Sequence, residues 1–251
     1  MATEGKTIDA LSQFELAPVL GRIGDAVGFS QSNAHMLLVV GAVTALMLYG
    51  MANRAIVPGR LQALAESAYE FVHGLVTEQI GEEGKRFFPF VFSLFMFILF
   101  GNLIGLFPYA FTFTSHIAVT FGLAAVVFVL ITVVALSLHG TKFFGYFFPE
   151  GAPVWLAPII VPVEIVSYLS RPVSLSIRLF ANMVAGHVML KVFATFIILL
   201  GGLGAIGPFV ATLPLALNIA LVGFELLVAF LQAYVFAILT CIYLHDAVHL
   251  H

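Results

Sequence analysis

Arg178 stands in the middle of a long apolar run, within SLSIRLFANMVAGH at 174–187, and it frames the chemistry open to this chain. An arginine at mid-membrane costs about 2.5–3.5 kcal/mol on insertion scales, so such residues usually face a bundle interior, a cavity or a partner. Arginine does not release its proton at accessible pH. Arg178 therefore cannot be a relay step, but it can attract a carboxylate and deter a passing proton. Glutamate, histidine and tyrosine can relay, and on either side of Arg178 the run carries Glu164 and His187.

Seven residues advance a helix by nearly two turns, so Glu164, Arg171 and Arg178 fall near one stripe, with Ser167, Ser174 and Asn182 beside it. A second apolar run, about 206–244, repeats the spacing with Asn218, Glu225 and Gln232, and Tyr243 and Asp246 return to nearly the same side. His187, nine residues past Arg178, projects from the opposite side of its helix, so its partner is expected to differ from that of the arginine. Two readings stay open. Either two groups of titratable or water-holding residues are separated by a fixed cation, or an Arg–Glu pair merely ties two helices together. Gln232 and Asn182 suit an ordinary interhelical hydrogen bond equally well.

The elements that must position these residues are membrane helices. Of 251 residues, 61% are hydrophobic and 9% charged, with a mean hydropathy of +1.10, whereas soluble domains carry roughly 25% charged residues. A net charge of -3 without a basic block argues against nucleic acid as a partner. Cys241 is the sole cysteine, so neither a disulfide nor a thiolate metal framework can be built within the chain. No cofactor is expected. Residues 1–34 mix acids and bases among apolar residues without the pattern of a secretory leader, and read as a surface tail, partly helical around 7–27.

The expected fold class is all-α: a polytopic membrane protein with three conventional transmembrane helices, an amphipathic interfacial helix and a hairpin of two long, steeply inclined intramembrane helices. Residues 35–251 form a single membrane domain. The conventional spans are placed at about 35–53, 88–109 and 117–139. At 60–80, Leu61, Leu64, Ala65, Ala68, Phe71, Val72 and Leu75 recur at helical spacing between Glu66, Glu70 and Glu78, as in a helix lying on the membrane or packed on a partner subunit. The inclined helices are placed at about 154–200 and 206–247; at 1.5 Å per residue each is about 60 Å long, twice the hydrocarbon thickness. Breaking each run into two upright spans is the competing arrangement, but Arg171, Arg178 and Glu225 would then sit where no turn is signalled, and Pro162, Pro172 and Pro214 only permit kinks. Asn102, beside Gly105, suits an interhelical hydrogen bond better than a ligand role, and His139 suits an interfacial position. Arg54, Arg60, Lys85, Arg86 and Lys142 cluster in two connections while 110–116 has no cation, which puts the N-terminus outside and the C-terminus inside.

SLSIRLFANMVAGH, preceded by PVEIVSYLSRPV and followed by FELLVAFLQAYVFAILTCIYL, with GNLIGLFP at 101–108, closely resembles the a-subunit family of F-type ATP synthases. The resemblance implies the static half of a rotary proton motor, not catalytic alone. It works against a ring of c subunits and beside b-type peripheral stalk subunits, in contact with membrane lipids. It implies that Arg178 faces the ring carboxylate and separates two offset half-channels, with Asn182 one turn on. Glu225 and His187 fall on the outer half-channel, Gln232 on the glutamine that supports the arginine, Asn102 on the asparagine of GNLIGLFP, and Glu164, Ser167 and Ser174 on the inner half-channel. With His on the first helix and Glu on the second, the arrangement is mitochondrial-like; Gly105 stands where some bacterial members carry an acid. A bacterial plasma membrane or a mitochondrial-type inner membrane is expected. Two other classes compete. A secondary transporter with interrupted helices would need internal repeats, which are at most faint here. A metal or haem protein would draw on His245, Asp246, His249 and His251 near the C-terminus.

Overall fold

Stretches without a charged residue dictate most of the architecture, because a backbone in lipid must satisfy its own polar groups and a helix does so within one segment. The computed structural model describes residues 30–52, 55–107, 110–148 and 154–249. The tail up to residue 29, Asn53, Arg54, Pro108, Tyr109, the stretch 149–153, Leu250 and His251 lie outside the described residues. Among the described residues the α-helices are α1 (Gln31–Ala52), α2 (Arg60–Ile80), α3 (Phe88–Gly105), α4 (Ile117–His139), α5 (Ala157–Gly201) and α6 (Gly207–Val248). Short 3-10 turns lie in the connections from α2 onwards, and among the described residues no α-helix gives way to a sheet: the fold is all-helical. Five of these helices, all but α2, are long and apolar enough to cross a membrane, which makes this a polytopic membrane protein.

The amphipathic helix α2 lies against α1, α3 and α6. Ala65, Val72, Leu75, Val76 and Ile80 enter the core, while Leu61 and Leu64 of the expected apolar stripe stay more than half exposed. Its entry is fixed by buried Gln62, whose amide accepts from the Ala55 N–H (3.2 Å) and donates to the Ala55 carbonyl (3.0 Å) and to Glu66 (2.8 Å). It ends at Gly81, where φ is +83° and a side chain would be strained.

Neither Pro162 nor Pro172 interrupts α5, and Pro214 does not interrupt α6; each helix is continuous over 45 and 42 residues. At about 65 Å, either is twice as long as the hydrocarbon layer is thick, so neither fits it upright. The two run antiparallel. Arg171 pairs with Asp246, Asn182 with Gln232 and His187 approaches Glu225, so positions rise along α5 as they fall along α6. Gly204, with φ +73°, makes the reversal between them, and a Cβ on Gly207 would lie 2.6 Å from the Leu200 carbonyl oxygen.

The core forms where α3, α4 and the second half of α6 meet, around Phe95, Met96, Ile98, Phe236 and Leu244. Two polar pairs tie α5 to α4: Tyr168 OH with Thr132 Oγ1 at 2.8 Å, and Ser176 Oγ with Thr120 Oγ1 at 3.2 Å. His139 Nε2 lies 3.1 and 3.2 Å from the Ala247 and Val248 carbonyls and so caps the end of α6. In lipid, helix association rests on packing rather than on expulsion of water. Phe236, wholly buried, carries a large share of it. Phe236→Ala should therefore cost on the order of 3 kcal/mol, read as a lower thermal midpoint of the detergent-purified complex.

Candidate functional site

The hairpin of α5 and α6 has one face on the bundle and one face open. On the bundle side Leu175, Leu179 and Met183 are buried, while Val173, Ser174, Ile177 and Arg178 of the same turns are exposed. Arg178 makes no hydrogen bond or ion pair with a described residue. It lines an open cavity of about 470 Å³ between the two helices, together with Asn182, Gly186, Glu225 and Gln232 and an otherwise apolar wall. The Arg–Glu tie that sequence left open is thus not formed by this arginine.

Its neighbours on the stripe go elsewhere. Arg171, two turns earlier, reaches Asp246 Oδ2 at 3.4 Å, and its guanidinium lies 4.7 Å from the centre of the Tyr243 ring. Asp246 and Tyr243, which return to the polar side of α6 in the sequence pattern, are where that stripe meets α5. Glu164 is half-buried, and Ser167 and Ser174 are exposed on the same helix. The antiparallel register runs out at Val248, so α6 has no residue opposite Glu164. Asn182 Nδ2 donates to Gln232 Oε1 at 2.9 Å, an interhelical bond of the ordinary kind, and Gln232 Nε2 is buried without a partner.

On the far side of Arg178, Glu225 is 4% exposed and neither carboxylate oxygen has a hydrogen-bond partner among the described residues. The nearest charged or chargeable group is His187, with Nε2 3.9 Å from Glu225 Oε1. Room for the carboxylate exists only because residue 186 is glycine: a Cβ there would stand 2.5 Å from Glu225 Oε1. A buried, unpaired carboxylate is costly unless it is protonated or charge-compensated. Measured along α5 at 1.5 Å per residue, Glu164 lies about 21 Å before Arg178 and His187 about 14 Å beyond it.

Asn102 is wholly buried on α3, accepts from Thr114 Oγ1 (2.9 Å) and donates to the Ala229 carbonyl of α6 (3.4 Å). It ties α3 to α6 one helical turn past Glu225. Thr112, which the sequence pattern did not single out, lies 2.8 Å from His187 Nε2. Threonine is too common in loops to stand out, but two glycines on α3 one turn apart, Gly101 and Gly105, were the available signal that something packs close. In the same loop, burial pushes His116 below the ordinary histidine range, so it stays neutral near pH 7. Among the described residues no group of three or more histidine, cysteine or acidic side chains is placed to hold a metal.

The chain matches the family model described as ATP synthase A chain over residues 34–245. It is 68% identical to an ATP synthase subunit a of Granulibacter bethesdensis, over the full length of both chains. It is 61% identical to the same-named protein of Gluconobacter oxydans, with 97% of this chain and 98% of that one covered. An ATP synthase subunit a of Rhodopseudomonas palustris strain BisB18 is 53% identical, with 96% of this chain and 98% of that one covered. An all-helical membrane chain that matches this family model over residues 34–245, and one of these relatives over the whole length of both, is a member of the ATP synthase A chain family.

Proposed function

We infer that this chain is the stator of a rotary proton motor, loading and unloading protons on the carboxylates of a c-subunit ring through two offset half-channels. The observation that carries it is the order along α5: a titratable group about 21 Å to one side of Arg178, a His–Glu pair about 14 Å to the other, and the arginine alone on the open face between them. A proton entering from outside reaches Glu225 and His187 and passes to a ring carboxylate. Neutralised, that carboxylate can move into lipid, since the desolvation cost of its charge is gone. After nearly a full turn it meets the inner half-channel near Glu164, Ser167 and Ser174, where water and the charge of Arg178 favour ionisation. The proton then leaves on the inner side. Gln232 and Asn182, bonded to each other, hold the wall beside the arginine, and Asn102 holds α6 against α3.

A permanent cation is required at the divide. It attracts the ionised ring carboxylate, and it never carries the proton across. Each charge moved gains about 2.3 kcal/mol per 100 mV, so a small leak would dissipate the drive. The ring faces the open side of α5 and α6, b-type stalk subunits pack elsewhere on the bundle, and the membrane is a bacterial plasma membrane or its mitochondrial-type counterpart, with the N-terminus outside.

Whole complexes in sealed vesicles test this. Arg178→Ala should abolish ATP-driven proton uptake while leaving the complex assembled, and uptake at the parent rate would refute the assignment. Glu225→Gln, which cannot take up a proton as a carboxylate does, should slow uptake at least about tenfold, equivalent to about 1.4 kcal/mol on the limiting step. Gly186→Ala leaves every titratable group in place but pushes the Glu225 carboxylate from its seat, so uptake should fall about as far as in Glu225→Gln; a normal rate would show that the seat does not matter.

A further inference from the structure

Between α3 and α4 the chain folds back over the last turns of α3. Gly101 and Gly105 leave a bare strip there: a Cβ on Gly101 would stand 2.5 Å from the Phe113 ring, and one on Gly105 would stand 2.5 Å from Thr112 Oγ1. Small residues one turn apart in a membrane helix commonly admit a second helix; here the strip admits a loop. Asn102 sits between the two glycines and binds Thr114 of that loop. At the other end the Phe111 N–H donates to His35 Nε2 (3.2 Å), and the opposite ring nitrogen, Nδ1, is 2.9 Å from the Gln31 carbonyl. Ser115 Oγ donates to the Thr112 carbonyl. Thr112 is therefore fixed to α1, to α3 and, through Asn102, to α6.

The Thr112 hydroxyl has two neighbours: the Gly105 carbonyl at 3.1 Å and His187 Nε2 at 2.8 Å. A carbonyl can only accept, so in this contact the hydroxyl proton goes to Gly105. The hydroxyl oxygen must then accept from His187, which places a hydrogen on Nε2. That same nitrogen is 3.9 Å from Glu225 Oε1, too far for a hydrogen bond.

We propose that Thr112 is a positioning residue for proton transfer between His187 and Glu225, holding the Nε2–H on its own oxygen so that the proton is handed over only when the ring turns from Thr112 to the carboxylate. This rests on the outer half-channel reading above. In the transfer the imidazolium N–H bond breaks at Nε2, an O–H bond forms on Glu225, the ring is left neutral and the carboxylate becomes a carboxylic acid. Without the hydroxyl, the N–H loses the acceptor that holds it away from Glu225. A charge-assisted His–Glu bond is roughly twice as strong as a neutral one and would retain the proton instead of passing it on.

The test reconstitutes whole complexes carrying Thr112→Val, Thr112→Ser, Thr112→Ala or Glu225→Gln in sealed vesicles and compares ATP-driven proton uptake at equal content of assembled complex. Valine keeps the volume and loses the hydroxyl, so uptake should fall at least about fivefold, the rate equivalent of one hydrogen bond. Serine keeps the hydroxyl and should rescue uptake to within about twofold of the parent. A Thr112→Val complex pumping at the parent rate, or a Thr112→Ser complex as slow as Thr112→Val, overturns the proposal. If valine prevents assembly, serine against alanine decides: serine well above alanine supports it, and equality overturns it. Normal uptake in Glu225→Gln would overturn the outer half-channel reading and this proposal with it. Lost uptake in Glu225→Gln beside normal uptake in Thr112→Val would overturn the role of Thr112 alone.

Discussion

A guanidinium keeps its charge in a bilayer, and a helix that carries one must offer it something other than hydrocarbon. In this chain that constraint is met by geometry. Arg171 is given an aspartate and a tyrosine face on α6. Arg178, on the same helix and nearly the same stripe, is left at an open cavity. One arginine is consumed in holding the hairpin together, and the other has no ion-pair partner among the described residues.

Continuity of the two long helices follows from the same constraint. A turn in the middle of the membrane would expose backbone groups to lipid, so the chain passes Pro162, Pro172 and Pro214 as helix and makes its reversal at the glycines around Gly204. Running antiparallel, the helices bring Arg171 to Asp246, Asn182 to Gln232 and His187 towards Glu225 in one register. Small residues then decide how closely groups approach. Gly186 admits the Glu225 carboxylate, and Gly101 and Gly105 admit the loop that carries Thr112. The polar chemistry of the site is spaced by residues that have no side chain at all.

Much of this was legible in the sequence. Uncharged runs of spanning length, the seven-residue recurrence of Glu164, Arg171 and Arg178, and the matching recurrence of Asn218, Glu225 and Gln232 follow from the length and period of a helix, which are local properties. Residue chemistry alone separated an arginine that cannot relay from a glutamate and a histidine that can. The motif from 174 to 187 carried the family.

Only the tertiary structure decided which polar residues meet. Periodicity puts Arg171 and Arg178 on one stripe but cannot say that one is paired and the other open, because pairing depends on where α6 ends relative to α5. It could not place Thr112 on His187 either, since that contact joins residues 75 positions apart through a loop seated on two glycines. Leu61, Leu64 and Phe71 of the expected apolar stripe of α2 face outward for the same reason: a hydrophobic pattern names the residues able to be buried, and the neighbours available determine which of them are.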